Sequence, residues 1–184
     1  MNNTQSDWLE NDFIRLRALE PEDLELVYAI ENNPSMWHIS ATTAPYSRYA
    51  LRRYLESSRC DVFADGEVRF VVERKSDTRV LGCTELMNFD FLHRRAEVGM
   101  VLFSRYRGEG YGRQVLQLLD RYAFSFLHLH QMYAYVTPGN KGCLRMFASC
   151  GFTRCVNLAD WLCVEEGKYQ EVKLIQCLAS DFKQ

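Results

Sequence analysis

Hydrophobic and polar residues repeat along this chain with two different periods, in alternating segments. Alternation at every second residue, typical of strands with one buried face, begins at 13–17. A helical spacing is clearest after Gly112, where inward apolar residues, including Phe126, continue to Leu127. The pattern predicts strands at 13–17, 68–73, 80–87, 97–103, 132–136, 161–164 and 171–177, and helices at 20–32, 48–58, 112–127 and 140–151.

The order of these elements predicts one α+β domain with a mixed sheet. A polar turn at 75–78 joins two of the strands, which predicts an antiparallel hairpin. The helix at 112–127 lies between two other strands, and a helical crossover makes such strands parallel. We expect a single domain over residues 13–180, preceded by a polar tail at 1–12.

Composition excludes several classes of protein. The chain has 184 residues, is 47% apolar and 25% charged, and carries a formal net charge of −2. Its lysines and arginines form no basic stripe, so we expect no nucleic-acid partner. No apolar run approaches the ~20 residues of a membrane span, and the amino terminus lacks an apolar leader, so we expect no membrane partner.

The cysteines indicate a reducing environment. They stand at positions 60, 83, 143, 150, 155, 163 and 177, without C-x-x-C spacing and mostly within apolar segments. We therefore expect buried free thiols in a cytoplasmic protein, and no metal site.

A glycine-rich turn joins the strand at 97–103 to the long helix. Gly108, Gly110 and Gly112 occupy alternate positions, where they allow successive N–H groups to point at one centre beside the first turn of a helix. Such a turn can bind phosphate, although it can also be an ordinary surface turn. The following helix has a predicted polar face made of Arg113, Gln117, Asp120 and Arg121.

Two common nucleotide-binding loops do not fit this turn. A Walker-type loop requires Lys and then Ser or Thr after its last glycine, whereas Gly112 is followed by Arg113 and Gln114. A dinucleotide-binding loop follows the first strand and precedes an acidic residue by about 20 positions. Here the turn lies past the middle of the chain and is followed by a long apolar helix.

The spacing Arg107-x-x-Gly110-x-Gly112 resembles the acyl-CoA pyrophosphate loop of the GNAT superfamily of N-acetyltransferases. Further segments resemble the spermidine/spermine N-acetyltransferases within it, namely 32–36, 45–46, 85–86, 93–97, 122–124, 127–129 and 167–169. The resemblance implies a mostly antiparallel sheet of about seven strands with a splayed parallel pair, and about four helices. It also implies acetyl-CoA as co-substrate and a possible homo-oligomer, with Trp8 or Trp37 as candidate contacts.

The same resemblance assigns residues to acetyl-CoA. The backbone of the strand would face the pantetheine arm, the glycine turn and its arginines would bind the pyrophosphate, and the next helix would contact the arm further along. Glu109 is expected to point to solvent, because a carboxylate repels the pyrophosphate. The residues so assigned are Met100, Val101, Leu102, Arg107, Gly108, Gly110, Gly112, Arg113, Asn140 and Phe147.

Acetylation of an alkyl amine requires a base, because such an amine has a pKa of about 10.4 and is protonated at neutral pH. Glu97, in the family's Arg-Arg-Ala-Glu motif, is the favoured base; Glu85 is the second candidate and His93 a weaker one. The family's Asn-x-x-(Ser/Ala)-x-x-x-Tyr pattern places Phe147 where its proton-donating tyrosine stands. Water, or the hydroxyl of Tyr106, Tyr133 or Tyr135, would then protonate the thiolate, unless it leaves unaided.

The acceptor is less well defined than the donor. Glu31, Trp37 and Asp90 are candidate substrate-binding residues, although the cluster around Trp37 can also be core packing. The paired acids of the polyamine enzymes are replaced by Thr43 and Ala44. We expect a polyamine or other small amine, with a peptide N-terminus, as in the related ribosomal-protein acetyltransferases, or a non-catalytic acyl-CoA-binding module as alternatives.

Overall fold

A computed structural model describes residues 8–34, 36–37, 42–57 and 61–182 of the chain. Its strands are β1 (Ile14–Ala18), β2 (Val68–Arg74), β3 (Val80–Asp90), β4 (Arg95–Leu102), β5 (Gln131–Val136), β6 (Arg154–Glu165) and β7 (Lys168–Leu178). Its α-helices are α1 (Leu24–Glu31), α2 (Arg48–Ser57), α3 (Val62–Asp65), α4 (Tyr111–Asp120) and α5 (Lys141–Ser149). Short 3-10 turns lie at Pro21–Asp23, Ser104–Tyr106 and Ala179–Asp181.

The seven strands form one sheet in the order β1-β2-β3-β4-β5-β7-β6. The β4 and β5 strands are parallel, and every other neighbouring pair is antiparallel. The predicted mixed sheet, its hairpin and its parallel pair are therefore confirmed. Most predicted elements lie within a few residues of the observed ones, while the four-residue helix α3 was not predicted.

The main core lies between one face of the sheet and the helices α4 and α5. Val115, Leu116 and Leu119 are fully buried on α4, as the helical spacing predicted. A smaller cluster of Leu24, Val27 and Leu51 joins α1 to α2. No helix within the described part of the chain is long and apolar enough to cross a membrane.

The long helix differs from its prediction in its second half. α4 ends at Asp120, and a π-helical turn follows at Arg121–Phe126, closed by the Leu127 N–H donating to the Tyr122 carbonyl at 2.9 Å. The wider turn changes which residues face inward. Phe126 is therefore 49% exposed rather than inward-facing. Asp120, predicted on the polar face, is buried at 4% exposure.

Two further expectations were wrong in part. The β6 strand begins at Arg154, well before the predicted 161–164, because most of its residues are exposed and show no apolar alternation. Cys155 and Cys163 lie on this strand and are exposed, whereas Cys83 and Cys177 are buried as expected. Cys60 lies outside the described residues.

Candidate active site

A gap between β4 and β5 forms the centre of the site. The two strands pair only at Arg95–Gln131, Ala96–Met132 and Glu97–Tyr133. Beyond Glu97, β4 continues to pair with β3 and β5 continues to pair with β7. The facing backbone edges of 98–102 and 134–136 are therefore not paired with each other, and we call the space between them, beside Met100, Val101 and Leu102, the groove.

The glycine turn lies at the end of this groove. Gly108 and Gly110 have φ angles of 83° and 86°, in the left-handed region that favours glycine. The first backbone bond of the helix runs from the Gln114 N–H to the Gly110 carbonyl at 3.3 Å. The N–H groups of residues 108–113 donate to no acceptor within the described chain. Unpaired N–H groups of this kind at a helix amino terminus can bind an anion.

Arg107, Glu109 and Arg113 are the charged side chains around the turn. Arg107 is anchored by its Nε, which donates to the Leu102 carbonyl at 2.8 Å. Arg113 and Glu109 are both exposed, so the carboxylate of Glu109 lies in solvent as expected. At Gly112, a Cβ atom would lie 2.5 Å from Sδ of Met146, so the glycine lets α4 approach α5 closely.

The amino terminus of α5 borders the groove. The Asn140 side-chain oxygen caps this helix by accepting from the Cys143 N–H at 3.1 Å, as predicted. Its amide nitrogen has no protein partner within the described residues and can donate to a ligand. Phe147 is buried at 4% exposure and packs edge-on against Phe152, with ring centroids 4.8 Å apart. Phe147 therefore offers packing and no proton.

Glu97 lies at the point where β4 and β5 separate. Its Oε2 accepts a hydrogen bond from the Asn88 amide at 2.8 Å, and no lysine or arginine pairs with it in the part of the chain that the structure describes. Burial raises the pKa of Glu97, the Asn88 hydrogen bond opposes that rise, and the negative charge of Glu85 adds to it. A half-buried carboxylate with a raised pKa suits a general base.

Glu85 and Glu31 have a different environment, because Arg69 lies between them. Arg69 Nη1 is 2.6 Å from Glu31, and its Nη2 is 2.7 Å from Glu85. Burial lowers the pKa of Arg69, but its carboxylate neighbours raise it further, so the guanidinium stays charged. The Glu85 carboxylate lies over Gly99, where a Cβ would be 2.7 Å from it. Both carboxylates are thus ion-paired, unlike that of Glu97.

Asp90, His93 and Trp37 were also predicted as candidate site residues. Asp90 binds Arg95 at 2.9 Å and accepts from the His93 N–H at 2.9 Å; that backbone bond comes first among the causes that lower its pKa. The Trp37 Nε1 donates to the Glu31 carbonyl at 3.0 Å, so Trp37 covers the end of α1. Residues 35 and 38–41 of the surrounding segment lie outside the described chain.

Of the alternative hydroxyls, two lie beside the gap. Tyr133 pairs across from Glu97, and Tyr135 lies one step further along the same face of β5. Burial, followed by the negative charge of Glu97, raises the pKa of both phenols. Tyr106 instead lies under Arg74 and Arg105 on the β2 side of the glycine turn, away from the gap.

Three residues that contact predicted site residues were not identified from the sequence. Arg69, Asn88 and Trp161 gave no local signal, since each acts through a partner distant in sequence. The cross-strand register of β2 with β3, which pairs Arg69 with Glu85, could have identified the first of them. No cluster of three or more metal-ligating side chains occurs among the described residues.

Comparison with known proteins identifies similar chains. A family model for the acetyltransferase (GNAT) domain matches residues 14–153. The spermidine N(1)-acetyltransferase of Vibrio cholerae is 29% identical over 175 residues, covering 94% of this chain and 96% of the relative. The crystal structure of that organism's spermidine N-acetyltransferase in complex with CoA and spermine has a TM-score of 0.80 at 28% identity, covering 93% and 98%. A dodecameric structure from Vibrio cholerae has a TM-score of 0.76 at 29% identity, covering 92% and 96%.

Proposed function

Because the chain belongs to the GNAT acetyltransferase family, we propose that it transfers acetyl from acetyl-CoA to a primary amine of a polyamine or similar small polycation. The observation that carries this proposal is the set of unpaired N–H groups at 108–113, at the end of an open groove. The spermidine-acetylating relatives support the choice of acceptor.

The residues present fit the acetyl donor. The N–H groups of 108–113 and the guanidinium of Arg107 would hold its pyrophosphate, and the open edge of 100–102 would bond the amides of its arm. Asn140 would donate its side-chain amide to the arm. When bound, acetyl-CoA supplies the thioester carbonyl on which the amine acts.

In the proposed reaction, Glu97 takes a proton from the acceptor ammonium, directly or through water. The amine nitrogen then forms a bond to the carbonyl carbon, the carbon–sulfur bond breaks with its electron pair staying on sulfur, and the nitrogen gives up its second proton to water. A thiol has a pKa of about 8.5, so the thiolate can leave and take its proton from water. This route accommodates Phe147, which cannot donate a proton.

The remaining parts of the proposal concern location and assembly. We expect the reaction in the cytoplasm, where exposed thiols such as Cys155 and Cys163 stay reduced. We also expect a homo-oligomer, since a related enzyme forms a dodecamer. The domain assignment over 13–180 and the tail at 1–12 remain predictions; Trp8 and Leu9 of that tail pack against the core.

The proposal is tested by calorimetric titration with CoA. Gly110→Ala should weaken CoA binding about tenfold, because an alanine strained in the left-handed region turns the neighbouring N–H groups away from their common centre. Gly167→Ala is the matched control, since Gly167 has a φ of 73° and open space around it in the β6–β7 turn. Equal effects of the two substitutions, or no CoA binding by the unaltered protein, would contradict the proposal.

A panel of acceptor amines tests the second part of the proposal, the identity of the acceptor. Spermidine should be acetylated with a higher kcat/KM than propylamine or than peptides beginning with Ala or Ser. Faster transfer to the peptides would assign the chain to N-terminal acetylation instead. Tight CoA binding without transfer to any amine would indicate a non-catalytic binding module.

A further inference from the structure

An aromatic stack runs from Glu97 toward the edge strand of the sheet. Tyr133 lies directly across from Glu97, and its ring meets Tyr135 edge-on, with centroids 5.8 Å apart and an interplanar angle of 83°. Tyr135 in turn stacks on Trp161 at 5.7 Å and 17°. These contacts connect the point of strand separation to a residue on β6, two strands away.

A bulge in β6 brings Trp161 to this position. Leu158 pairs with Val172 and Leu162 with Gln170, so four steps of β6 oppose two steps of β7. Within the bulge, Asp160 has a φ of 49°, a strained conformation for a residue with a side chain. Pairing resumes after the bulge, so the extra residues serve no purpose in the ladder. Bulges of this kind re-aim side chains beside active sites.

The stack is open to solvent on one side. Trp161 is 52% exposed and Tyr135 is 37% exposed, although both rings are held by their mutual contact. The exposed part of the stack offers an aromatic surface on which a cation can rest.

The charges on this face favour a cation with more than one charge. The ionic groups described above on β3, β4 and their neighbours are Glu97, the pair Asp90–Arg95, and the trio Glu31–Arg69–Glu85. Four carboxylates against two guanidiniums leave two uncompensated negative charges. An acceptor with at least two ammonium groups matches this charge balance, whereas an arylalkyl monoamine such as phenethylamine, with one ammonium group, would match only half of it.

We propose that Trp161 and Tyr135 form a wall that binds the distal ammonium groups of a polyamine acceptor while its reacting amine lies at Glu97. This inference rests on the proposed function and adds the residues that select acceptor length and charge. Trp161 is the specificity-determining residue, and it contacts the acceptor rather than the acetyl donor.

The kinetic test compares Trp161→Ala with the unaltered enzyme. We expect KM for spermidine to rise about tenfold, because the cation–π contact is lost, while KM for acetyl-CoA and for propylamine changes less than about twofold. Trp161→Phe should retain most of the spermidine affinity. Val164→Ala is the matched control, since Val164 lies on the same strand, is 44% exposed and belongs to no part of the site.

A binding test needs no acetyl donor. In a ¹H–¹⁵N spectrum of the protein alone, titration with spermidine should shift the indole signal of Trp161 and leave that of Trp8 in place. No shift at Trp161 overturns the wall, whether or not the protein acetylates any amine. A protein that shifts Trp161 with spermidine yet binds no CoA would refute the proposed function and keep the cation site.

Three kinetic results would also overturn the inference. They are an equal rise in KM for spermidine and propylamine, a larger rise for phenethylamine than for spermidine, and an unchanged KM for both. A fall in sedimenting mass on Trp161→Ala, without any change in KM, would assign the patch to contact between copies of the chain.

Discussion

The carboxyl groups around β1 to β3 and those around β4 and α4 have opposite surroundings. On the side of β1 to β3 they meet arginines, as where Arg17 binds Asp23 at 2.7 Å and Glu73 at 2.9 Å. On the side of β4 and α4, Glu97 bonds only to the Asn88 amide, and the buried Oδ1 of Asp120 has no partner within the described chain. The ion pairs of the first group join neighbouring elements, whereas the carboxyl groups of the second group lose hydration without gaining a cationic partner.

This difference in surroundings also sets the direction in which the pKa of each carboxyl group is shifted. Burial opposes ionisation of Asp23, but hydrogen bonds from Arg17 and from the backbone of Glu20 hold its pKa below the ordinary value. Burial alone raises the pKa of Asp120 to about 8, and burial comes first in raising that of Glu97. A carboxylate paired with arginine is therefore a poor proton acceptor at neutral pH, and an unpaired one is a better one.

The largest expected effect separates Glu97 from Glu85. Glu97→Gln should lower kcat/KM for spermidine about a thousandfold, since it removes the proposed base. Glu85→Gln should lower it less than about tenfold, since Glu85 is already bound to Arg69. Steady-state kinetics at neutral pH measure both, with circular dichroism as the check on folding. Similar losses for the two variants would contradict the assignment of the base.

A pH profile refines this result. The reaction requires ionised Glu97, so kcat/KM should fall on the acid side at a higher pH than an ordinary glutamate would give. Asn88→Ala should move that limb to still higher pH, because it removes the hydrogen bond that lowers the pKa of Glu97. A limb that stays in place would show that another group controls it.

The second effect concerns stability. Arg69→Met leaves Glu31 and Glu85 close together without a cation, so the free energy of unfolding should fall by about 3 kcal/mol at neutral pH. Adding Glu31→Gln and Glu85→Gln to this variant should recover most of the loss. Urea titration measures all of these variants. Arg48→Met is the control, since Arg48 pairs with Glu25 at an exposed site and its loss should matter much less.

The glycine turn shows what the sequence could predict about the site. Gly108 and Gly110 act through local backbone geometry, so their spacing carried the information, whereas Gly112 lets α4 approach Met146 of α5. Arg69 and Trp161 depend on cross-strand register and on a bulge, which no local pattern records. Asp120 was assigned to the wrong face because nothing local distinguished it from Gln117, the exposed polar residue three positions earlier.

The smallest of the three effects tests Asp120, the unpaired carboxyl away from the gap. Its pKa in the folded protein, about 8, exceeds that of an unfolded aspartate, so the folded state holds one more proton between these values. Stability is therefore full below the unfolded pKa and is lost as pH rises toward 8, by at most about 1.4 kcal/mol per pH unit. Asp120→Asn should flatten this decline by about 2 kcal/mol between pH 5 and pH 6.5.

Comparing slopes rather than absolute stabilities removes the separate cost of burying an amide. Asp23→Asn is the opposite case: the lowered pKa of Asp23 contributes stability above the unfolded aspartate value, and that contribution is lost as pH falls through the folded pKa. Its substitution should thus change the acid limb and leave the slope between pH 5 and pH 8 unaltered. Parallel curves of unfolding free energy against pH for Asp120→Asn and the unaltered protein would mean that Asp120 is charged in the fold. The carboxyl groups around β1 to β3 and those around β4 and α4 would then not differ as described.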